Sequence, residues 1–491
     1  MPSLPFDPAN GGAHGGAFWD AIRQIPGYPA GESRPIRAMV FESGALFRLP
    51  ALLAQAGARR DQPLLVVMDQ TPMQRAGADL KSQVLSVLSE AGWQPEPIWL
   101  SPDHTGQVHT NFAQIEQVQA RLSPSVAVLS VGSGTVTDVA KHACFLWAQA
   151  ASAAPLPFMI YQTANSVSAY TSNMAPVFVG GVKRTLPSRY PDVLVCDLET
   201  LRDAPASMTA AGVGDLVAAC GSFADWYLAH QLGLDDTHTE FARTLMGPLD
   251  DILLECAPAI RAGNLEAVSI LARLITLAGL AMSLSHATAP LSGFEHVISH
   301  VLDLAAERAA RPLAQHGSQV ALATLLTTRA WALFLDEFDP ADINLDACYP
   351  GADAMQAKIQ AAFSALDPSG GVAEECWADY QLKLAAWHAQ RERATAAFRQ
   401  WPAVRAGLQE RLRAWQRAAL ILERAGAPLR FEDLDPPAAE AEVRFAFFAA
   451  PLMRRRLTLG DLFVFLNWDT ETLWPRVWLR DQAPAPAPHH P

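Results

Sequence analysis

The apolar residues change their rhythm near residue 205. Before it, short aliphatic and β-branched runs alternate with segments of helical spacing. Strands are predicted at 63–68, 96–100, 125–130, 158–161 and 192–196, and helices at 83–91 and 138–151. Strands bounded by turn residues and separated by helices predict a parallel sheet covered on both faces. After residue 205, Ala, Leu and Arg dominate and the apolar positions recur every three or four residues. That spacing predicts helices over 208–229, 245–262, 265–284, 295–308, 320–338, 355–366, 374–399 and 403–425. The expected organisation is an α/β N-terminal domain over 36–204 followed by an all-α C-terminal domain over 205–478. A Gly- and Pro-rich, loosely ordered extension (1–35) and a disordered Pro-rich tail (479–491) flank them.

A chain of 491 residues has ample length to bury two such cores. The formal net charge of −13 argues against a nucleic-acid binder, since there is no excess of cations to displace counterions from phosphates. The clearest basic run, Arg454-Arg455-Arg456, reads as a solvated face. The six cysteines show neither CxxC nor finger-like spacing and read as reduced, buried thiols of a cytoplasmic protein. No secretory signal is expected from the first residues. No membrane span is expected either, because no apolar run of about 18 residues lacks a charge or a proline.

One strand runs into Val131-Gly132-Ser133-Gly134-Thr135 and then into a helix containing Asp138. Glycines at 132 and 134 permit close backbone approach to an anion, or a positive φ, and a helix N-terminus supplies free N–H groups. The pattern is neither GxGxxG nor a P-loop. It is compatible with a pyrophosphate site and equally with a tight strand-to-helix connection begun by Asp138. Asp69 closes an earlier strand, where an acid can hold a ribose hydroxyl or simply serve a turn.

The densest chemistry lies further on. Asp215 follows Gly214 at what reads as the start of the first long helix, where it would also complement the helix dipole. His296 and His300 are one helical turn apart, and His316 stands beside Gly317 at another helix start. One carboxylate with two imidazoles is a donor set for a divalent metal that keeps a coordination position open. HExxH is absent, which excludes a zincin.

Several segments together resemble the sn-glycerol-1-phosphate dehydrogenase family, within the group that holds glycerol dehydrogenase, iron-containing alcohol dehydrogenases and dehydroquinate synthase. They are Gly132 to Asp138, Ala169 to Pro176, Gly181 to Pro187, Ala204 to Asp215, Ala224 to Trp226, Ser292 to His300 and Gln315 to Gly317. The resemblance implies a Rossmann-like parallel-sheet domain followed by the helical domain of dehydroquinate synthase-like proteins. It implies Asp215, His296 and His316 as ligands of Zn²⁺, with Ni²⁺ or Fe²⁺ as alternatives. It implies NAD or NADP held by Asp69, Gly132, Ser133, Gly134, Thr135, Asp138, Thr163, Ser166 and Tyr170. His300, as a proton relay, and Lys183 would be catalytic. The implied reaction interconverts an alcohol and a ketone, with dihydroxyacetone phosphate or a related polyol ketone as substrate, in a homodimer.

Two positions depart from the family pattern. Ser168 stands where the family carries an Asp that could hold a substrate hydroxyl. Ala289, in Thr288-Ala289-Pro290, stands where the family carries an Arg suited to an anion. Two other readings stay open: a dehydroquinate synthase-like lyase or cyclase that uses NAD transiently, and a non-catalytic metal- or nucleotide-binding protein.

Overall fold

The computed structural model describes residues 1–10, 16–32, 34–179 and 181–478. The Pro-rich tail over 479–491 lies outside the described residues. The chain forms two compact units. The first comprises Met1–Val179, Lys183–Val213 and Glu240–Leu284, and the second includes Gly214–Thr239 and the chain from Ser285 onward.

Six strands build the sheet of the first unit: β1 (Ala38–Glu42), β2 (Leu64–Asp69), β3 (Pro95–Leu100), β4 (Ala127–Gly132), β5 (Phe158–Gln162) and β6 (Val193–Asp197). Their order is β1-β6-β5-β4-β2-β3, and every pairing is parallel. β2, β4, β5 and β6 are buried along their whole length. That explains why they read as continuous apolar runs rather than as alternating ones. From β2 the chain moves outward to β3, whereas from β4 it moves the opposite way, to β5 and β6. β2 and β4 are therefore neighbours whose continuations diverge, which makes a topological switch point at their carboxyl ends. Asp69 ends β2 and Gly132 ends β4.

The helices Phe241–Met246, Leu249–Arg261 and Leu265–Leu284 belong to the sheet's unit. Among the described residues Leu265–Leu284 is the one helix long and apolar enough to cross a membrane, but 94% of its apolar window is buried inside the protein. Burial on nearly all sides accounts for its apolar character. The N-terminal segment is held more firmly than its Gly and Pro content suggests. Phe18, Trp19 and Ile22 of the helix Gly16–Ile22 are buried, and Asp7 pairs with Arg273 at 2.7 Å.

Among the described residues, the chain from Ser285 onward forms helices joined by loops, with no strand. A buried ion pair between Lys383, on the helix Gly371–Ala389, and Asp461, in the first turn of Leu459–Phe465, lies at 0% exposure for both side chains. Asp461 also accepts from the Thr458 backbone N–H at 2.8 Å, closing a capping box. Replacing one member of such a pair strands the other charge in a dry interior. Asp461→Leu is therefore expected to destabilise the second unit by about 3–5 kcal/mol, read as a lower urea midpoint at unchanged slope. An unchanged midpoint would show that Lys383 finds enough solvent or carbonyl partners without the acid.

Candidate metal centre

The helix expected over 208–229 is broken in two, Ala206–Leu216 and Ala219–Gln231. Asp215 therefore sits in the last turn of a helix rather than the first. A carboxylate there faces the negative end of the dipole and gains nothing from it, so its place must be explained by other partners. Gly214 supplies the local reason. A Cβ at Gly214 would stand 2.3 Å from the Gly317 carbonyl oxygen and 2.9 Å from Ala321 Cβ. Only a glycine lets this helix cross His316–Glu337 at backbone distance. That crossing sets Asp215 beside His316.

The third element is the helix Phe294–Arg308. Its N-terminus is bound by two buried acids: Gly293 N–H donates to Glu295 Oε1 at 2.6 Å, and Phe294 N–H donates to Asp225 Oδ2 at 2.8 Å. A Cβ on Gly293 would meet both carboxylates, Asp225 at 2.5 Å and Glu295 at 2.9 Å. The glycine of the Ser-Gly-Phe-Glu-His run is thus required by crowding. Asp225 Oδ1 accepts from Leu459 N–H at 2.9 Å, so one carboxylate serves two helix N-termini. Burial, and then the neighbouring Glu295 charge, push Asp225 up to about 8.

Asp215, His296 and His316 each offer one ligand atom within 4.8 Å of the others. Asp215 Oδ1 and His296 Nε2 are 3.4 Å apart. Two ligands about 2.0–2.1 Å from a tetrahedral Zn²⁺ are separated by about 3.4 Å. Each imidazole is tied down at its other nitrogen. His296 Nδ1 faces Glu295 Oε1 at 2.9 Å. His316 Nδ1 is 3.0 Å from Ser299 Oγ, which donates onward to Gln319 Oε1 at 2.7 Å. With its proton sent to Gln319, the Ser299 oxygen accepts from His316, so each ring keeps its Nδ1 proton on a partner behind it and Nε2 is the atom left for a metal, which would displace any proton there. Burial opposes a charge on His296, but Asp215 and Glu295 outweigh it and raise the imidazole to about 9. The donor set, its spacing and its surplus of negative charge fit a divalent cation.

His300 lies beside the trio, its ring stacked on His316 with centroids 5.8 Å apart and planes 14° apart. Arg454 donates to His300 Nδ1 at 3.2 Å. A guanidinium can only donate, so the proton of a neutral His300 resides on Nε2.

The arginine triplet is not a solvated face. Arg455 is exposed, but its two neighbours turn inward. Arg456 bonds the Ser292 carbonyl, Ser292 Oγ (2.9 Å) and Thr288 Oγ1. Burial lowers its pKa, while Glu295, Asp235 and Asp225 hold the charge in place. Sequence reasoning assigned no role to Asp225, Glu295, Ser299, Gln319 or Arg456, although Asp225, Glu295 and Ser299 lie within the segments that carry the family resemblance.

The remaining expected residues lie in the first unit. Neither Gly132 nor Gly134 takes a positive φ, so the expected conformational freedom is not used. Space is the constraint: a Cβ at Gly132 would stand 2.4 Å from Val136 Cβ, and one at Gly134 would stand 2.5 Å from Val167 Cγ2. The helix Gly134–Ala151 begins at Ser133, whose side chain makes no cap bond. Thr137 N–H is the first to reach back, to the Ser133 carbonyl at 3.1 Å. The N–H groups of Gly134, Thr135 and Val136 have no partner within the helix, which is the donor set an anion takes. Asp138 sits one turn inside, paired with Lys141 at 2.8 Å. Burial raises its pKa against the charges of Lys141 and Lys183. Thr163 follows β5, and its N–H bonds the Gly132 carbonyl at 3.2 Å. Tyr170 is buried and donates to the Ala164 carbonyl at 2.7 Å, and Ser166, also buried, bonds the same phenol. Asp69 is held by Lys81 at 2.9 Å and by the Thr71 hydroxyl at 2.9 Å.

Comparison with known proteins places the chain in a class. The family model for iron-containing alcohol dehydrogenases matches residues 40–205. The glycerol-1-phosphate dehydrogenase (NAD(P)+) of Bacillus subtilis (strain 168) is 29% identical over 304 residues, 59% of this chain and 72% of that protein. The enzyme of the same name from Haloarcula marismortui is 30% identical over 265 residues, 54% of this chain and 69% of its own. The crystal structure of a probable glycerol dehydrogenase from Sinorhizobium meliloti 1021 shares the fold, with a TM-score of 0.52 at 17% identity over 89% of this chain and 96% of that one. The chain belongs to the glycerol-1-phosphate dehydrogenase family of the iron-containing alcohol dehydrogenases.

Two substitutions test the centre without touching a ligand. Glu295→Gln is expected to weaken Zn²⁺ affinity about 10- to 100-fold, measured by competition with a chromophoric chelator. An unchanged affinity would mean that Glu295 does not orient His296. Gly214→Ala is expected to lower metal retention with little loss of helix content by circular dichroism, because the new methyl displaces Asp215 from His316. Full retention would refute the steric reading.

Proposed function

We propose that this chain is a metal-dependent, NAD(P)-linked dehydrogenase that interconverts a small alcohol and its ketone, dihydroxyacetone phosphate being the leading ketone. The observation that carries the reading is the trio of Asp215, His296 and His316, with both imidazoles oriented by hydrogen bonds from behind. The names of the relatives supply the substrate and the cofactor.

Asp215, His296 and His316 would hold the metal, with Zn²⁺ favoured by two nitrogens and one carboxylate in a site that leaves a position open. A bound divalent ion supplies a Lewis acid for a substrate oxygen, and the nicotinamide supplies the hydride. The protein's own groups do the rest. Glu295 and Ser299 keep the two imidazoles in the ligating tautomer. His300, beside His316, is the proton relay: as imidazolium it gives a proton to the developing alcohol oxygen and is left neutral, and in the reverse direction the neutral ring takes that proton up. At the switch point Gly132, Ser133, Gly134 and Thr135 receive the pyrophosphate on an uncapped helix N-terminus. Asp138 and Lys183 set the charge behind that turn. Asp69 lies at the ribose position, and Thr163, Ser166 and Tyr170 form the nicotinamide side. A homodimer is proposed on family resemblance. A cytoplasmic location is proposed with it, supported by six buried cysteines that form no disulfide among the described residues.

The test is oxidation of NADH or NADPH by the Zn²⁺-reconstituted protein on addition of dihydroxyacetone phosphate. Turnover is expected for the wild type and none for His296→Ala. His300→Gln is expected to lower kcat by roughly 100-fold or more while Zn²⁺ stays bound. Steady product formation without net cofactor oxidation would instead point to lyase chemistry.

A further inference from the structure

The helix His316–Glu337 carries a charge into an apolar place. Leu322, Leu325, Leu326 and Arg329 are spaced by three or four residues and share one side of it. With Leu429, Phe431 and Trp478 they line a pocket of about 270 Å³. The three helix leucines and Phe431 are buried, and the rings of Phe431 and Trp478 stack with centroids 5.8 Å apart. Arg430 and Glu432, both exposed, complete the lining. Arg329 meets no acid there among the described residues. Its Nη1 donates to the Val477 carbonyl at 3.2 Å, and the guanidinium lies 4.1 Å from the centroid of the Trp415 ring. Arg329 Nε and Trp478 Nε1 are both buried without an acceptor. Burial is the one cause that lowers the Arg329 pKa, to about 10. The group is therefore charged at neutral pH, and no neighbouring charge, that of Glu432 included, offsets it. Buried cations are ordinarily paired and buried donors ordinarily bonded. The Trp415 ring face and the Val477 carbonyl supply part of the missing stabilisation. Two donors and one net charge remain unanswered.

We propose that this pocket binds a small monocarboxylate with an apolar body. Its carboxylate would sit on the Arg329 guanidinium, with the Trp478 indole N–H as second donor, and its hydrocarbon against Leu322, Leu325, Leu326 and Phe431. A carboxylate matches the planar fork of a guanidinium, and one negative charge balances one positive charge. A phosphate dianion would bring a second charge against apolar walls with no second buried cation to meet it. An amine would meet a like charge. The pocket is separate from the metal centre. Arg329 lies 13 residues (329 − 316) along the helix from His316, about 20 Å at 1.5 Å per residue. The inference does not depend on the dehydrogenase reading.

The experiment titrates the full-length, Zn²⁺-loaded protein with octanoate and with 1-octanol by isothermal titration calorimetry. One octanoate per chain is expected at this pocket, bound at least about 10-fold more tightly than the alcohol and not displaced by inorganic phosphate. Arg329→Met should weaken octanoate about 10- to 150-fold, the loss of charged hydrogen bonds. Its thermal midpoint without ligand should stay level or rise, because an unpaired buried charge has gone. Trp478→Phe keeps the wall and removes one donor, so octanoate should weaken about 2- to 10-fold. His296→Ala should retain the same octanoate binding. Absence of binding by the wild type, equal affinity for the alcohol, or unchanged affinity in Arg329→Met overturns the inference. Binding lost in His296→Ala also overturns it, since the carboxylate would then sit on the metal. Should Arg329→Met not fold, Arg329→Lys decides, because it keeps the charge and loses the fork. A weaker octanoate site then supports the inference, and an unchanged one refutes it.

Discussion

Buried carboxyl groups organise the second unit. Asp215, Asp225 and Glu295 are all nearly inaccessible to water, and isolated carboxylates in such a place would be too costly to keep ionised. Each is matched. Asp225 and Glu295 accept backbone N–H groups at the start of the helix Phe294–Arg308, where the dipole favours them. Arg456 lies among them as a counter-charge, and His296 is drawn toward its cationic form by Asp215 and Glu295. A divalent ion on the three ligand atoms satisfies the same demand more fully than a proton does. The metal site and the packing of the helices are therefore one arrangement: the groups that hold the helix start together are those that aim His296.

The first unit works by a different economy. Its sheet is buried on both sides, and the residues proposed to hold the cofactor lie at the carboxyl ends of β2, β4 and β5. There Asp69, the turn at Gly132–Gly134 and Thr163 follow adjacent strands. The glycines of that turn answer to crowding by Val136 and Val167 rather than to backbone handedness. The first N–H groups of Gly134–Ala151 are left available to an anion because the Ser133 side chain does not cap them.

Much of this was legible in the chain, for reasons that can be named. Fully buried parallel strands leave long aliphatic runs, so β2, β4, β5 and β6 were visible. Spacing of four put His296 and His300 on one helix face, and His316 does begin a helix. The break at residues 217–218 was not visible, because the Ala-rich stretch from Ala206 to Gln231 contains no proline to mark it, and so Asp215 was assigned to the wrong end of a helix. Arg456 looked like solvated surface because its partners, Thr288 and Ser292, are more than 160 residues away. In the N-terminal segment, Gly and Pro content outweighed three buried residues, Phe18, Trp19 and Ile22, that share one short helix. Periodicity reports that a helix is amphipathic or apolar, but not which unit buries it. Leu265–Leu284 was found as a helix for that reason, while its place in the sheet's unit had to come from the structure.

The centre made by Asp215, His296 and His316 is tested most directly by zinc K-edge X-ray absorption on the Zn²⁺-loaded protein. Two imidazole nitrogens and an oxygen shell at about 2.0–2.1 Å, with no sulfur contribution, are the predicted result. A thiolate shell at about 2.3 Å, or a coordination sphere of oxygen alone without the imidazole signature, would contradict it.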